Sequence, residues 1–204
     1  MAIHKMIIKI SAILLAAGLS QRMGSDKLLL VYNGKSILQH SVDLLSELPV
    51  FERILVTTDV RSAVIALPPE VRVCINSQPE RGLSSSIHIG VKNAIGTHYL
   101  FLTADQPKRT KADLIPLLEA VQDNPDKILY PVIDAVPCSP TIFPGSFREE
   151  LLNLYSSSQL QQKDTGGRII RDANKHLSLP IEPANPANFI DIDNIEDYQI
   201  LIKE

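Results

Sequence analysis

Two cysteines, Cys74 and Cys138, stand far apart, form no C-x-x-C pair and have no histidine cluster beside them. A disulfide framework and a structural zinc site are therefore excluded, and a reduced, cytoplasmic setting is expected. The five histidines, His4, His40, His88, His98 and His176, show no metal-ligand spacing, and His40 and His88 fall in predicted helices as core or surface residues rather than catalytic bases. No apolar run reaches the roughly 18 residues that a membrane crossing needs. A net charge of −3 gives no field that would draw nucleic acid or an anionic membrane; an anionic ligand has to be met by local cations. Internal repeats and low-complexity tracts are absent, Ser156-Ser157-Ser158 being only a short loop cluster. Two familiar phosphate loops are missing as well. Gly18 is followed by Leu19-Ser20, which breaks G-x-G-x-x-G, and Gly24 by Ser25-Asp26, which breaks the P-loop.

What is present is an ordinary packed composition, 204 residues with 45% hydrophobic and 21% charged. That predicts a single domain over residues 1–204 with a core large enough to need no staples. Lys5 and Lys9 ahead of Ile10 to Ala17 superficially resemble a leader. Lys9 interrupts that short run, and Met6 to Leu15 reads better as a first strand covered on both faces. Ser36 caps a helix whose apolar positions Leu38, Val42, Leu45 and Leu48 step by three and four up to Pro49. Strands follow at Arg53 to Thr58, Val71 to Asn76, His98 to Thr103 and Lys127 to Ile133, with helices at Gly82 to Ala94 and Lys111 to Gln122. Pro116 is expected in the first turn of the latter, which would move its start later. The alternation predicts an α/β fold with a mostly parallel sheet and right-handed crossovers. Beyond Val136, prolines break the rhythm; helices at Ser146 to Leu154 and Gly166 to Asn174, a late strand at Asn188 to Ile192 and a helix capped by Asn194 are expected. Residues 136–190 read as an acceptor-side insertion over the sheet.

In open sheets of this kind ligands sit beyond the carboxyl ends of the strands. That rule singles out the loop Leu15-Ala16-Ala17-Gly18-Leu19-Ser20-Gln21-Arg22-Met23-Gly24-Ser25-Asp26-Lys27 and the turn Asp105-Gln106-Pro107. Gly18, Ser20 and Gly24 allow a tight wrap that points backbone N–H groups at phosphate oxygens. Arg22 and Lys27 add two cations, a bidentate guanidinium and a point charge. A plain strand-to-helix turn with solvated Arg and Lys accounts for the spacing equally well.

The loop L-A-A-G-x-S-x-R-M-G-x-x-K resembles the signature of the MobA-like nucleotidyltransferases, which include the molybdenum cofactor guanylyl- and cytidylyltransferases. Sugar and methylerythritol nucleotidyltransferases share much of it but usually carry Pro where Asp26 stands. The likeness continues through Asn76, Gly82-Leu83-Ser84-Ser85-Ser86 and Gly90, similar to the segment beside the nucleobase. It extends through Leu100 to Pro107, through Lys163-Asp164-Thr165-Gly166-Gly167-Arg168, and through Asp191-Ile192-Asp193-Asn194-Ile195-Glu196-Asp197-Tyr198.

This resemblance implies a three-layer α/β/α, Rossmann-like nucleotide-diphospho-sugar transferase fold and a Mg²⁺-dependent transfer of a nucleotidyl group. Arg22, Lys27 and Asp105 would be catalytic, and Leu15, Ala16, Ala17, Gly18, Ser20, Gly24, Asn76, Gly82, Ser84 and Ser86 would bind nucleotide. Asp105, with Asp191 or Asp193, would hold the metal. Guanylyltransferases of the family usually have Gly where Ala17 stands and cytidylyltransferases Ala, so CTP is favoured. The implied acceptor is a phosphorylated small molecule such as molybdopterin, with a molybdoenzyme receiving the product. The acceptor side departs from the pattern: Val136-Pro137-Cys138-Ser139-Pro140 replaces a usual Gly-His-Pro, and Lys163 a usual glycine. A sugar or polyol phosphate acceptor, or a catalytically silent nucleotide-binding protein, are the competing readings.

Overall fold

Alternate residues of the strands feed two different cores. The structure, a computed structural model, describes residues 7–19, 25–154 and 166–203. In β1 (Ile10–Ala16) every residue is buried; Ala12, Leu14 and Ala16 join one hydrophobic cluster, Ile13 and Leu15 the other. A hairpin of β2 (Val31–Tyr32) and β3 (Lys35–Ser36) turns on Asn33 and Gly34, both at positive φ, the geometry that suits a two-residue turn. It leads into α1 (Ile37–Glu47), where the Ser36 hydroxyl accepts from Gln39 N. Leu38, Val42 and Leu45 are fully buried, each contributing about 1.5–3 kcal/mol relative to exposure.

β4 (Glu52–Thr57), α2 (Asp59–Ser62) and β5 (Val71–Ile75) follow, then α3 (Leu83–Asn93), β6 (His98–Thr103) and α4 (Lys111–Asp123). β7 (Ile128–Ile133) and β8 (Val136–Pro137) precede β9 (Thr141–Pro144), α5 (Arg148–Asn153), α6 (Arg168–Ala173), β10 (Ser178–Ile181) and α7 (Ile195–Leu201). Among the described residues the main sheet runs β10-β7-β9-β6-β1-β4-β5, with β8 pairing β7. β9 runs antiparallel to both its neighbours, and the other neighbouring pairs along that path are parallel. Helices α1 and α4 cover one face, and α3, α5 and α6 the other. This is the three-layer, mostly parallel architecture the sequence predicts.

Three expectations need correction. Residues 136–190 do not simply lie over the sheet: β9 is inserted between β6 and β7, with Ile142 in one core and Phe143 in the other, and β10 forms an edge. Pro180 is tolerated there because an edge strand need not donate on both sides. Asn188 to Ile192 is not a strand. A 3₁₀ turn occupies Pro186–Phe189 and Asn188 N closes onto Asn185 O; Phe189 O accepts from Gln106 Nε2 (3.0 Å) and Ile192 N donates to Asp105 O (2.9 Å), just past the end of β6. Finally, α4 does start at Lys111, fixed by a reciprocal Thr110–Asp113 capping box, so Pro116 lies in its second turn. Ala112 and Pro116 are both on the exposed face, where water can satisfy the carbonyl that the proline cannot.

Candidate active site

Because β1 lies beside β6 with Leu15 opposite Thr103, the segments leaving their C-terminal ends start side by side. They meet the start of α3 around a cleft of about 580 Å³. Leu15, Ala17 and Gly18 line it from the β1 side, Gly82 and Ser86 from α3, and Lys27, Asp105 and Asp193 across its floor and rim. Gly82 has φ +85° as the residue preceding α3, a conformation that favours glycine. Gly82, Leu83 and Ser86 place the start of that helix at the cleft wall, and a helix start is a natural place for anionic oxygens.

The Lys27 ammonium lies 2.8 Å from Asp105 Oδ2 and 3.2 Å from Asp193 Oδ1. Burial alone would lower its pKa, but the Asp105 and Asp193 carboxylates outweigh that and hold it above the usual lysine value. Three residues spread over most of the chain thus converge at one point, joined by contacts that no local pattern announces. Asp191 is exposed as a residue, but its carboxylate accepts from Gln106 Nε2 at 2.6 Å. Burial, then repulsion from Asp105 and Asp193, push its carboxyl up to about 6, against the Gln106 hydrogen bond and the positive Arg109.

Asp105 Oδ1 is buried and has no hydrogen-bond partner among the described residues. An orphaned buried carboxylate oxygen fits a cation. Among those residues no three His, Cys, Asp or Glu side chains converge as a metal cage. The arrangement therefore suits a cation such as Mg²⁺ that takes one or two carboxylates and completes its shell with phosphate oxygens and water.

Other expected residues play supporting parts. Ala16 is buried beneath the loop. Asn76 is a bracket: its Nδ2 donates to the Ser85 and Ser86 hydroxyls (2.9 and 3.0 Å), and its Oδ1 accepts from Gln78 N. Ser84 is buried and does not line the cleft. Gly90, expected near the base, serves packing, because a Cβ there would come within 2.5 Å of Ile13 Cγ2. Ser20, Arg22 and Gly24, with Lys163, Asp164 and Thr165, lie outside the described residues. His40 and His88 bond the carbonyls of Tyr32 and Leu152 rather than facing the cleft.

Two arginines escaped the sequence reading. Arg109 is buried, donates to Ser139 O at 3.1 Å and lies over the Phe189 ring. Burial pulls its pKa to about 10, opposed by Asp191, Asp105 and Asp113. It ties the Cys138-Ser139 segment, beside a cis Ser139–Pro140 bond, to the tail that carries Asp191. The Ser139 hydroxyl also accepts from Thr103 Oγ1 at 3.3 Å, and Thr103 lines the cleft. Arg61 is buried behind the first loop. Arg61 lies in the short α2 and Arg109 in the segment after β6, where no spacing rule marks an arginine as internal.

Residues 12–177 match the model of the MobA-like NTP transferase domain. The chain is 33% identical over 123 residues to a probable molybdenum cofactor guanylyltransferase of Rhodopirellula baltica, spanning 57% of this chain and 58% of that protein. It is 31% identical over 102 residues to a molybdenum cofactor guanylyltransferase of Syntrophotalea carbinolica, spanning 48% and 44%. The chain thus spans about half the length of the curated relatives it matches. In fold it is similar to Rv0371c of Mycobacterium tuberculosis, with 21% identity, a TM-score of 0.77, and coverage of 98% of this chain and 100% of that one. A manganese complex of Rv0371c aligns with a TM-score of 0.72 at 19% identity, covering 96% and 99%.

Proposed function

We propose a reaction for this chain from the premise that it belongs to the MobA-like NTP transferase family. The reaction is transfer of a nucleoside monophosphate, CTP being the favoured donor, to a phosphate-terminated acceptor of the molybdopterin class, whose product a molybdoenzyme would receive. An acceptor phosphate oxygen attacks the α-phosphorus in line; the new P–O bond forms as the α–β bridge breaks, and pyrophosphate leaves with the bonding electron pair. A phosphate acceptor is already ionised, so no general base is required, and the protein's work is positioning and charge neutralisation.

The observation that carries this reading is the Lys27 ammonium held between Asp105 and Asp193 on the cleft floor. Asp105, with Asp191 or Asp193, would hold Mg²⁺; the ion would neutralise triphosphate charge and help orient the reacting oxygens. Lys27 would turn from its carboxylate partners to the phosphates, joined by Arg22 of the same loop. The N–H groups of the Ala17-Gly18 turn and of the α3 start would complete the cradle.

Buried Ala17 lines the cleft, and its methyl narrows the space beside a base, which favours a pyrimidine. A second reading, GTP as donor, is favoured by the names of the two curated relatives. Pyrophosphate release with Mg²⁺ and molybdopterin, together with calorimetric titration of CTP, GTP, UTP and ATP, tests both. CTP is expected to lead. A clear GTP preference replaces the cytidylyl reading with the guanylyl one, and no pyrophosphate with molybdopterin and any triphosphate overturns the reaction.

A further inference from the structure

One guanidinium, that of Arg61 in α2, grips the described residues on both sides of the first loop. Its Nη1 donates to Ala16 O and its Nη2 to Gly18 O, each at 2.6 Å. Its Nε and Nη2 donate to the two Asp26 carboxylate oxygens at 2.7 and 2.8 Å. Asp26 also accepts from Leu28 N at 3.2 Å, and Lys27 is the next residue. Arg61 is 4% exposed and does not line the cleft, whereas Ala17, Gly18, Leu19 and Lys27 do. It stands behind the loop.

We propose that Arg61, paired with Asp26, is the positioning residue of the phosphate cradle. This deepens the nucleotidyl-transfer reading and rests on it. In a trans peptide the N–H points opposite the preceding carbonyl. Turning Ala16 O and Gly18 O toward Arg61 therefore turns the N–H groups of Ala17 and Leu19 away from it, on the side of the loop that lines the cleft. The same rigid, planar fork fixes Asp26, and with it the backbone that carries Lys27. A proline at position 26 has neither the carboxylate for Arg61 nor the oxygen for Leu28 N. A lysine at position 61 has a single nitrogen and cannot span the carbonyls and both carboxylate oxygens.

The test compares wild type with Arg61→Lys and Asp26→Asn as full-length chains. Without ligand, amide exchange at Ala17–Leu19 and Ser25–Leu28 is expected to accelerate by about tenfold or more in both variants, while β6 and α4 keep their protection. In calorimetry with Mg²⁺, CTP affinity is expected to fall by about tenfold to a hundredfold, and CMP, which lacks the β- and γ-phosphates, to lose far less. Unchanged exchange in both variants, or equal losses for CMP and CTP, overturns the proposal. If wild type binds no nucleoside triphosphate, the function reading falls and the exchange result alone decides the clamp. If Arg61→Lys does not fold, Asp26→Asn decides it.

Discussion

Lys27→Met removes an ammonium that lies 2.8 Å from Asp105 Oδ2 and 3.2 Å from Asp193 Oδ1, and keeps an unbranched stem of similar length. Two unit charges about 4 Å apart interact by about 4 kcal/mol at an effective dielectric of about 20. The Asp193 side chain is 54% exposed, so solvent screens its share, and the pair with Asp105 carries most of the effect. In the free protein that ammonium competes with any divalent cation for the same carboxylates. Its removal is therefore expected to tighten Mn²⁺ binding by roughly tenfold, which corresponds to about 1.4 kcal/mol. Turnover is expected to move the other way, falling by about 10²–10³, the usual cost of losing one preorganised group at developing charge. Mn²⁺ titration followed by electron paramagnetic resonance reads the first quantity, and pyrophosphate release at saturating CTP and Mg²⁺ the second. The opposite signs separate an electrostatic role from collapse of the site, which would weaken both. Retained turnover, or metal affinity that falls with it, refutes the reasoning.

His98 is buried and bonded to Pro125 O through Nε2. Burial holds its pKa below the ordinary 6.5, against the Pro125 hydrogen bond and Asp126. The unfolded chain then binds the proton more readily than the folded one, so this stabilisation is complete above about 6.5 and is lost as pH falls toward the folded pKa. Urea midpoints are expected to drop between pH 7.5 and 5.5 more steeply for wild type than for His98→Gln, and equal slopes refute this assignment. Gly90→Ala places a Cβ 2.5 Å from Ile13 Cγ2 and is expected to cost about 1–3 kcal/mol by overpacking. In a double-mutant cycle with Ile13→Ala, which removes that Cγ2, the cost of Gly90→Ala is expected to be smaller in the same chemical denaturation assay, and an equal cost would show that the strain lies elsewhere.

Local pattern made the strands legible. Ile13, Ile54 and Phe101 face one core, and Leu14, Leu55 and Leu100 the other, so the β1, β4 and β6 sequences read as continuous apolar runs. Ser36 and Asn194 announced their helices because an N-cap is a local contact. β9 did not announce itself: it is short and proline-flanked, and its place depends on β6 and β7 accepting it between them. The stretch from Asn188 to Ile192 misled for the converse reason. Phe189 and Ile192 are buried like strand residues, but Asn185 and Asn188 are bound through side chains to Asp113, which holds that backbone away from a ladder. Residues that line the cleft, such as Lys27, Asp105 and Asp193, were found from motifs, while the buried Arg61 and Arg109, which hold backbone carbonyls from behind, were not.

That division bears on why the donor side is better defined than the acceptor side. A triphosphate is a repeating anion, and a glycine turn, a helix start and two cations suffice to meet it; each leaves a mark in sequence. On the proposed reading an acceptor would be met by a surface assembled from distant pieces: Thr103 from β6, Ser139 beside Pro140, and the tail near Asp191, with Arg109 bonded to Ser139 O. Replacing the Gly-His-Pro pattern with Pro137-Cys138-Ser139-Pro140 changes that surface without changing what holds it. Arg109 binds the Ser139 carbonyl, not its side chain, and Cys138 N donates to Pro131 O, contacts that any residue at 139 and any residue but proline at 138 supplies. The wall is thus held mainly through its backbone, and its side chains add the longer contacts of Ser139 Oγ with Thr103 and Cys138 Sγ with Val136 O. Acceptor preference is therefore expected to follow the chemistry at positions 138 and 139, while the donor machinery around Lys27 stays constant.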